Sequence, residues 1–163
     1  MHRRRLALVV AVPALVTGAV VVTSGASAQA PAPSTLTFKE LERGATFTHV
    51  RNTRGAGRQA NSQGDLIVFT NPLADSSGKV IGRLHATCVT TVGARNFLRS
   101  TMACTGVMAL RAGKLTVQVT TSPGNPTTTG AVTGGTGAYA NARGVFVSKE
   151  ADGGSNDTIT LAG

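Results

Sequence analysis

GDLIVFTNPLADSSGKVIGRLHATC, residues 64–88, carries two strand patterns joined by a tight connection. Asp65 to Asn71 is near-continuously apolar, the pattern of a strand covered on both faces. Asn71-Pro72 and Ser76-Ser77-Gly78 punctuate it, and Lys79 to Val92 reads as a longer second strand. Side chains alternate across a strand, so Val80, Gly82, Leu84, Ala86 and Cys88 fall on one face.

Downstream, Phe97 to Leu110 predicts the next strand, turning about Gly93-Ala94-Arg95-Asn96. After Arg111-Ala112-Gly113, Leu115, Val117 and Val119 alternate with Thr116, Gln118 and Thr120. Thr121 to Gly130 reads as a Pro/Gly/Thr loop, and short strands follow around Ala131-Val132, Gly144 to Lys149 and Asp157 to Leu161. Upstream, STLTFKELE places Leu36, Phe38 and Glu40 on one face of a first strand, with Glu42 at the same parity, and Thr46 to Val50 is a second. Between that strand and Gly64 lies a basic, glycine-rich loop from Arg51, long for a compact domain. No apolar stripe recurs at helical spacing over three turns. Seven or eight strands at hairpin spacing therefore predict an all-β domain, an antiparallel barrel or a sandwich. Closure as a barrel would remove exposed strand edges.

The N-terminus has another character. Met1 to Ala28 combines a basic start, an apolar run and small residues before Ala28, which predicts a secretory signal peptide. Pro13 and Gly18 break a run already marginal for a helix that crosses a membrane, so no stable span is expected. Residues 29–34 read as a Pro/Ala leader and 35–163 as the barrel domain of a secreted, extracellular protein. Without the signal, 13 Lys and Arg face 7 acids, a net +6. That charge favours solubility and a loose attraction to polyanions, for which Arg51, Arg54 and Arg58 are the candidate contacts. With no Trp, one Tyr and no basic helix, the chain lacks the means of a nucleic-acid reader.

His49 and His85 have neither the Cys nor the carboxylate spacing of a zinc site, and no Ser or Cys partner for a triad. No metal and no cofactor are expected. Gly135 to Ala140 fits G-x-G-x-x-A, but only Asn141-Ala142-Arg143 separate it from the next strand. There is no room for the helix that a bound pyrophosphate requires, so the glycines are read as a compact turn. Asn156-Asp157-Thr158 matches the glycosylation triplet.

Two cysteines remain, Cys88 and Cys104, on the two arms of the hairpin about Asn96. In antiparallel register they stand directly opposite, within reach of a disulfide, and export favours oxidation. The other arrangement is a reduced pair in which Cys88 lines a pocket.

GDLIVFTNPLAD followed by VIGRLHATC resembles the central segment of the allene oxide cyclases. VTGGTGAYANARG is similar to a glycine-rich turn shared by those enzymes and dirigent proteins, and KLTVQV lies between the two blocks. The resemblance implies an eight-stranded antiparallel β-barrel with a central cavity open at one end, commonly a trimer. Plant members cyclise an unsaturated epoxy fatty acid or steer the coupling of phenoxy radicals; the shortage of aromatic residues argues against the second role here. The resemblance implies a ligand pocket with Ile67, Phe69 and Leu84 in its wall, and Asn71 as an amide that holds an ordered water. It also implies a first-strand glutamate, Glu40 or Glu42, whose charge favours a cationic intermediate; Glu40 and Asn71 are the candidate catalytic residues. No cofactor is implied. The expected partners are a small apolar molecule and further copies of the chain, as a homotrimer or homodimer. Three functions stay open: a binding barrel that acts as a cyclase or isomerase, a non-catalytic scaffold of the cell envelope, and a polyanion binder. An axis filled by Met102, Met108 and Leu110 would favour the scaffold; a void lined by Phe69 and Glu40 would favour a ligand.

Overall fold

The computed structural model describes residues 34–52 and 61–162. The predicted signal peptide, most of the leader, and Arg54 and Arg58 lie outside the described residues.

The strands are β1 (Ser34–Leu41), β2 (Thr46–Val50), β3 (Leu66–Ala74), β4 (Val80–Val92), β5 (Thr101–Leu110), β6 (Gly113–Thr121), β7 (Thr127–Gly135), β8 (Gly144–Ala151) and β9 (Gly154–Leu161). From β3 to β9 each pairs antiparallel with the next, β9 pairs with β1, and β1 returns to β3. Eight strands thus close an antiparallel barrel, the predicted fold. A barrel of this size has an interior just wide enough to be filled by side chains or to hold one small ligand.

β1 and β2 behave as one interrupted strand along β3. Glu40 pairs with Leu73 and Thr46 with Thr70, so six residues on one side span three on the other. The excess forms the turn at Glu42–Ala45, closed by the Ala45 N–H donating to the Glu42 carbonyl at 2.9 Å. Arg83 braces it from outside, donating to the Gly44 carbonyl at 3.3 Å and the Thr70 hydroxyl at 3.2 Å. β1 is thereby freed to pair over its full length with β9, while β2 continues along β3.

The same interruption corrects the reading of Asn71-Pro72 as a break. β3 runs through both to Ala74, with Pro72 opposite Arg83 on β4. On the other edge β2 stops at Thr70 and β1 begins at Leu73, so no ladder bond is missing for want of a proline N–H.

Two other boundaries differ. Phe97–Arg99 is a single 3-10 turn capped by Asn96, whose side chain accepts from the Leu98 N–H, so β5 starts later than the apolar pattern predicts. Thr127–Gly130 belongs to β7 rather than to a loop, its threonines paired with Val147–Lys149. The glycine-rich segment makes a short 3-10 turn at Gly137–Tyr139 and leads into β8 with no helix between.

Leu73, Met108, Leu115 and Ile159 are fully buried and, with Phe38 and Val132, fill one part of the barrel. Full burial of such side chains contributes about 1.5–3 kcal/mol each. Further along the same strands the inward positions become small: Ala86 stands opposite Gly106, which stands opposite Val117. A side chain at Gly106 would press on Leu84 and Val117 at 3.0–3.1 Å. The packing gives out at this level, and a cavity begins.

Candidate functional site

The cavity has a volume of about 210 Å³. β3 and β4 contribute Phe69, Leu84, Ala86 and Cys88; β5 and β6 contribute Met102, Cys104, Gly106, Val117, Val119 and Thr121. The far wall is Thr128 on β7, Phe146 and Ser148 on β8, Ser155 on β9 and Glu40 on β1. The lining is mostly apolar, with hydroxyls and one carboxyl gathered on the side built by β1, β7, β8, β9 and the end of β6 at Thr121.

Glu40 is placed by two pairings, with Leu73 on β3 and Ser155 on β9. The chain approaches closely here: a Cβ on Gly154 would lie 1.8 Å from the Glu40 carbonyl oxygen, so only glycine lets β9 pass. The amide of Asn71 donates to Glu40 Oε1 in a short hydrogen bond. Burial, and then the neighbouring Asp157 carboxylate, push the Glu40 carboxyl up to about 7 despite the Asn71 bond. Glu42, at the same parity, lies in the exposed turn between β1 and β2.

Asp157 is almost wholly buried, opposite Phe38 on β1 and Ser148 on β8. The Ser155 hydroxyl donates to its Oδ1 at 2.9 Å. Burial raises its pKa as well, while bonds to Ser148, Ser155 and Glu40 act in the opposite direction. Two carboxyl groups in contact away from water cannot both ionise cheaply.

Cys88 and Cys104 are directly paired across β4 and β5 and joined as a disulfide, with Cα atoms 4.0 Å apart. The bridge is part of the cavity wall. The pair is therefore bridged rather than reduced, and Cys88 lines the cavity as half of the disulfide. Ile67 is buried on the inward face beside Cys88 and Met102, and the cavity lining does not include it. Phe69 and Leu84 line the cavity, and Asn71 reaches it through Glu40. Met102 stands in the wall, whereas Met108 packs in the filled part of the barrel.

Asp157, Ser148, Ser155 and Phe146 were not singled out in the sequence. The alternation in GVFVSKEA and SNDTITL carries the signal, since Phe146 and Ser148, and Ser155 and Asp157, share inward parity. A second polar group was also missed. Asp65, fully buried, accepts from the Asn52 N–H at 2.6 Å, the Ser62 N–H at 3.0 Å and His49 Nε2 at 3.1 Å. Burial pushes its pKa up, but the N–H groups of Ser62 and Asn52 and the His49 ring outweigh it and hold the carboxyl low. It ties the chain after β2 to the chain before β3. Among the described residues, no group of three or more His, Cys, Asp or Glu side chains could hold a metal ion.

A closed antiparallel barrel with an apolar cavity, and a carboxyl–amide pair in its wall, defines a class of small cavity-bearing β-barrels. The chain belongs to the dirigent-like family: the family model described as Dirigent-like protein matches residues 35–161. No curated protein matches it. Among solved structures, pyocyanin demethylase superposes with a TM-score of 0.65 at 23% identity, covering 78% of this chain and 99% of that one. The pterocarpan synthase dirigent protein GePTS1 gives a TM-score of 0.56 at 17% identity, covering 80% and 88%. AbnU, an exo-specific intermolecular Diels-Alderase, gives 0.53 at 16% identity, covering 81% and 99%. At these identities the likeness is one of fold.

Proposed function

We propose that this protein is an exported barrel that holds one small, largely apolar molecule in its cavity and rearranges it against Glu40 and Asn71, as an isomerase or cyclase. The observation that carries the reading is the void itself, apolar except for one acid-bearing side. Its volume is below the roughly 300–1,000 Å³ of drug-sized sites, so the occupant has one or two rings or a short chain. A long acyl chain would protrude from it. Solved structures of similar fold include a pyocyanin demethylase, a pterocarpan synthase dirigent protein and an intermolecular Diels-Alderase. The signal-like N-terminus and the Cys88–Cys104 bridge support export.

Methyl-resolved NMR with 2-naphthol as a two-ring probe tests the pocket. Ring-current shifts should appear saturably at Leu84, Val117 and Val119, and not at the outward Val89 and Val145. Shifts confined to the outer face, or none at millimolar probe, would remove the ligand reading.

We further propose self-association through the outer face of β4 and β5. Val89 is 42% exposed there, with Val107 and Ala109 half-buried on the same face. Thr87, Thr105 and His85 share that face, and association would cover these together with the exposed apolar positions. Light scattering at micromolar concentration should give a dimer or trimer mass; a monomer mass contradicts the assembly.

A further inference from the structure

Glu40 and Asp157 come from strands at opposite ends of the sequence, and barrel closure puts them together. On the β1–β9 ladder Glu40 is paired with Ser155 and Phe38 with Asp157, so the two acids are diagonal neighbours on the inward face. Asp157 is 1% exposed. Its Oδ1 accepts the Ser155 hydroxyl, and Ser148, directly opposite on β8, bonds to the same carboxyl group. Its Oδ2 is buried with no donor. Glu40, hydrogen-bonded to Asp157, has one oxygen taken by the Asn71 amide. Ser148 and Ser155 are the hydroxyl donors to the Asp157 carboxyl, and Glu40 is the neighbouring group that shares a hydrogen bond with it. A proton on the Glu40 oxygen not held by Asn71 would be the donor that meets the unpartnered Oδ2.

We propose that Glu40 and Asp157 share a single proton and work as one acid–base unit, in which Glu40 faces the cavity's occupant and Asp157 is the positioning residue behind it. This rests on the cavity being a ligand site and names its chemistry: relocation of a proton within the ligand. Glu40 gives its proton to a basic atom of the occupant, a carbonyl oxygen, imine nitrogen or epoxide oxygen. The Glu40 O–H bond breaks and a bond from hydrogen to the ligand forms. Glu40, now ionised beside ionised Asp157, then removes a proton from a second ligand atom, whose bonding pair shifts into the ligand framework. The pair ends with the one proton it began with. The ligand leaves as an isomer, and no oxidant or reductant is consumed. Around the pair, β3 offers Asn71, β8 offers Ser148 and β9 offers Ser155, all neutral; no cation is among the groups that set the Glu40 or Asp157 titration. A dianion is therefore disfavoured until a protonated ligand lies beside it.

The test needs no ligand. Carboxyl carbon shifts of Glu40 and Asp157 should be followed against pH in the full mature protein and in Asp157→Asn. The wild type should show two coupled steps, one of them near neutrality. In Asp157→Asn the Glu40 step should move to lower pH by a unit or more. A Glu40 step in the ordinary glutamate range, or one unmoved by Asp157→Asn, overturns the proposal. Should that variant not fold, wild-type infrared spectra decide: a protonated carboxyl band that persists at pH 6 and disappears with a midpoint near 7 supports it, and no such band at pH 6 overturns it. A pocket that fails to bind 2-naphthol while the coupled titration stands would remove the ligand reading and leave the shared proton intact.

Discussion

Glu40→Gln should make the folded protein more stable above pH 7, by about 1–3 kcal/mol, and leave it almost unchanged near pH 4. The Glu40 carboxyl sits at about 7 in the fold against an ordinary 4.5. Below 4.5 it is protonated in both folded and unfolded chains and costs nothing extra. Between the two values the unfolded chain ionises while the folded one does not, so folding stability falls as pH rises, and the loss is complete above 7. Each unit of difference is worth about 1.4 kcal/mol, reduced here because the side chain is partly exposed to the cavity. Glutamine cannot ionise. It keeps a carbonyl oxygen for the Asn71 amide and supplies an N–H to the unpartnered Oδ2 of Asp157. Urea unfolding of both proteins at pH 4, 6 and 8 reads the effect. A difference that grows with pH agrees with the account; a variant less stable than wild type at pH 8, or one offset equally at every pH, contradicts it. On the proposed reading, the same change should abolish any turnover, since an amide does not act as an acid or base near neutral pH.

Reduction of Cys88–Cys104 should cost about 3 kcal/mol, the chain-entropy value for a loop of this size. For a domain of this length that corresponds to a fall in Tm of roughly 10 °C. Because the sulfurs stand in the cavity wall, reduction should also alter the methyl resonances of Val119 and Leu84, which share that wall. The double variant Cys88→Ala with Cys104→Ala should reproduce the loss and make the protein insensitive to reductant. Intact mass that gains no two hydrogens on reduction, with native thiols open to labelling, would show that the bridge is absent.

The strands were legible because their period is two and because the core alternates cleanly in LTVQV and HATCV. The cysteine pairing was legible for a related reason: a hairpin has one centre, and once Asn96 is near it the partners follow. Pro72 misled because a proline in a strand is harmless only where one neighbour is missing. That vacancy is made by β1 leaving β3 for β9, a long-range event. Phe97 and Leu98 misled because an apolar pair reads the same in a strand and in a capped turn. At the site, Glu40, Asn71 and Phe69 were accessible through local parity and a family resemblance. Asp157 was not. It lay within a triplet noted only for matching the glycosylation pattern, and its importance comes from the β1–β9 register, which no local pattern encodes.

Whether the barrel is a ligand site is tested most directly by native mass spectrometry of the protein taken from culture medium, beside Ala86→Leu. Ala86 projects into the cavity opposite Gly106, so leucine there occupies part of the void and leaves Glu40 and both cysteines in the chain. The wild-type protein should carry one small molecule per chain, and the Ala86→Leu protein, folded and disulfide-bonded, should carry none. A bare wild type, or the same adduct on both proteins, would contradict the ligand reading.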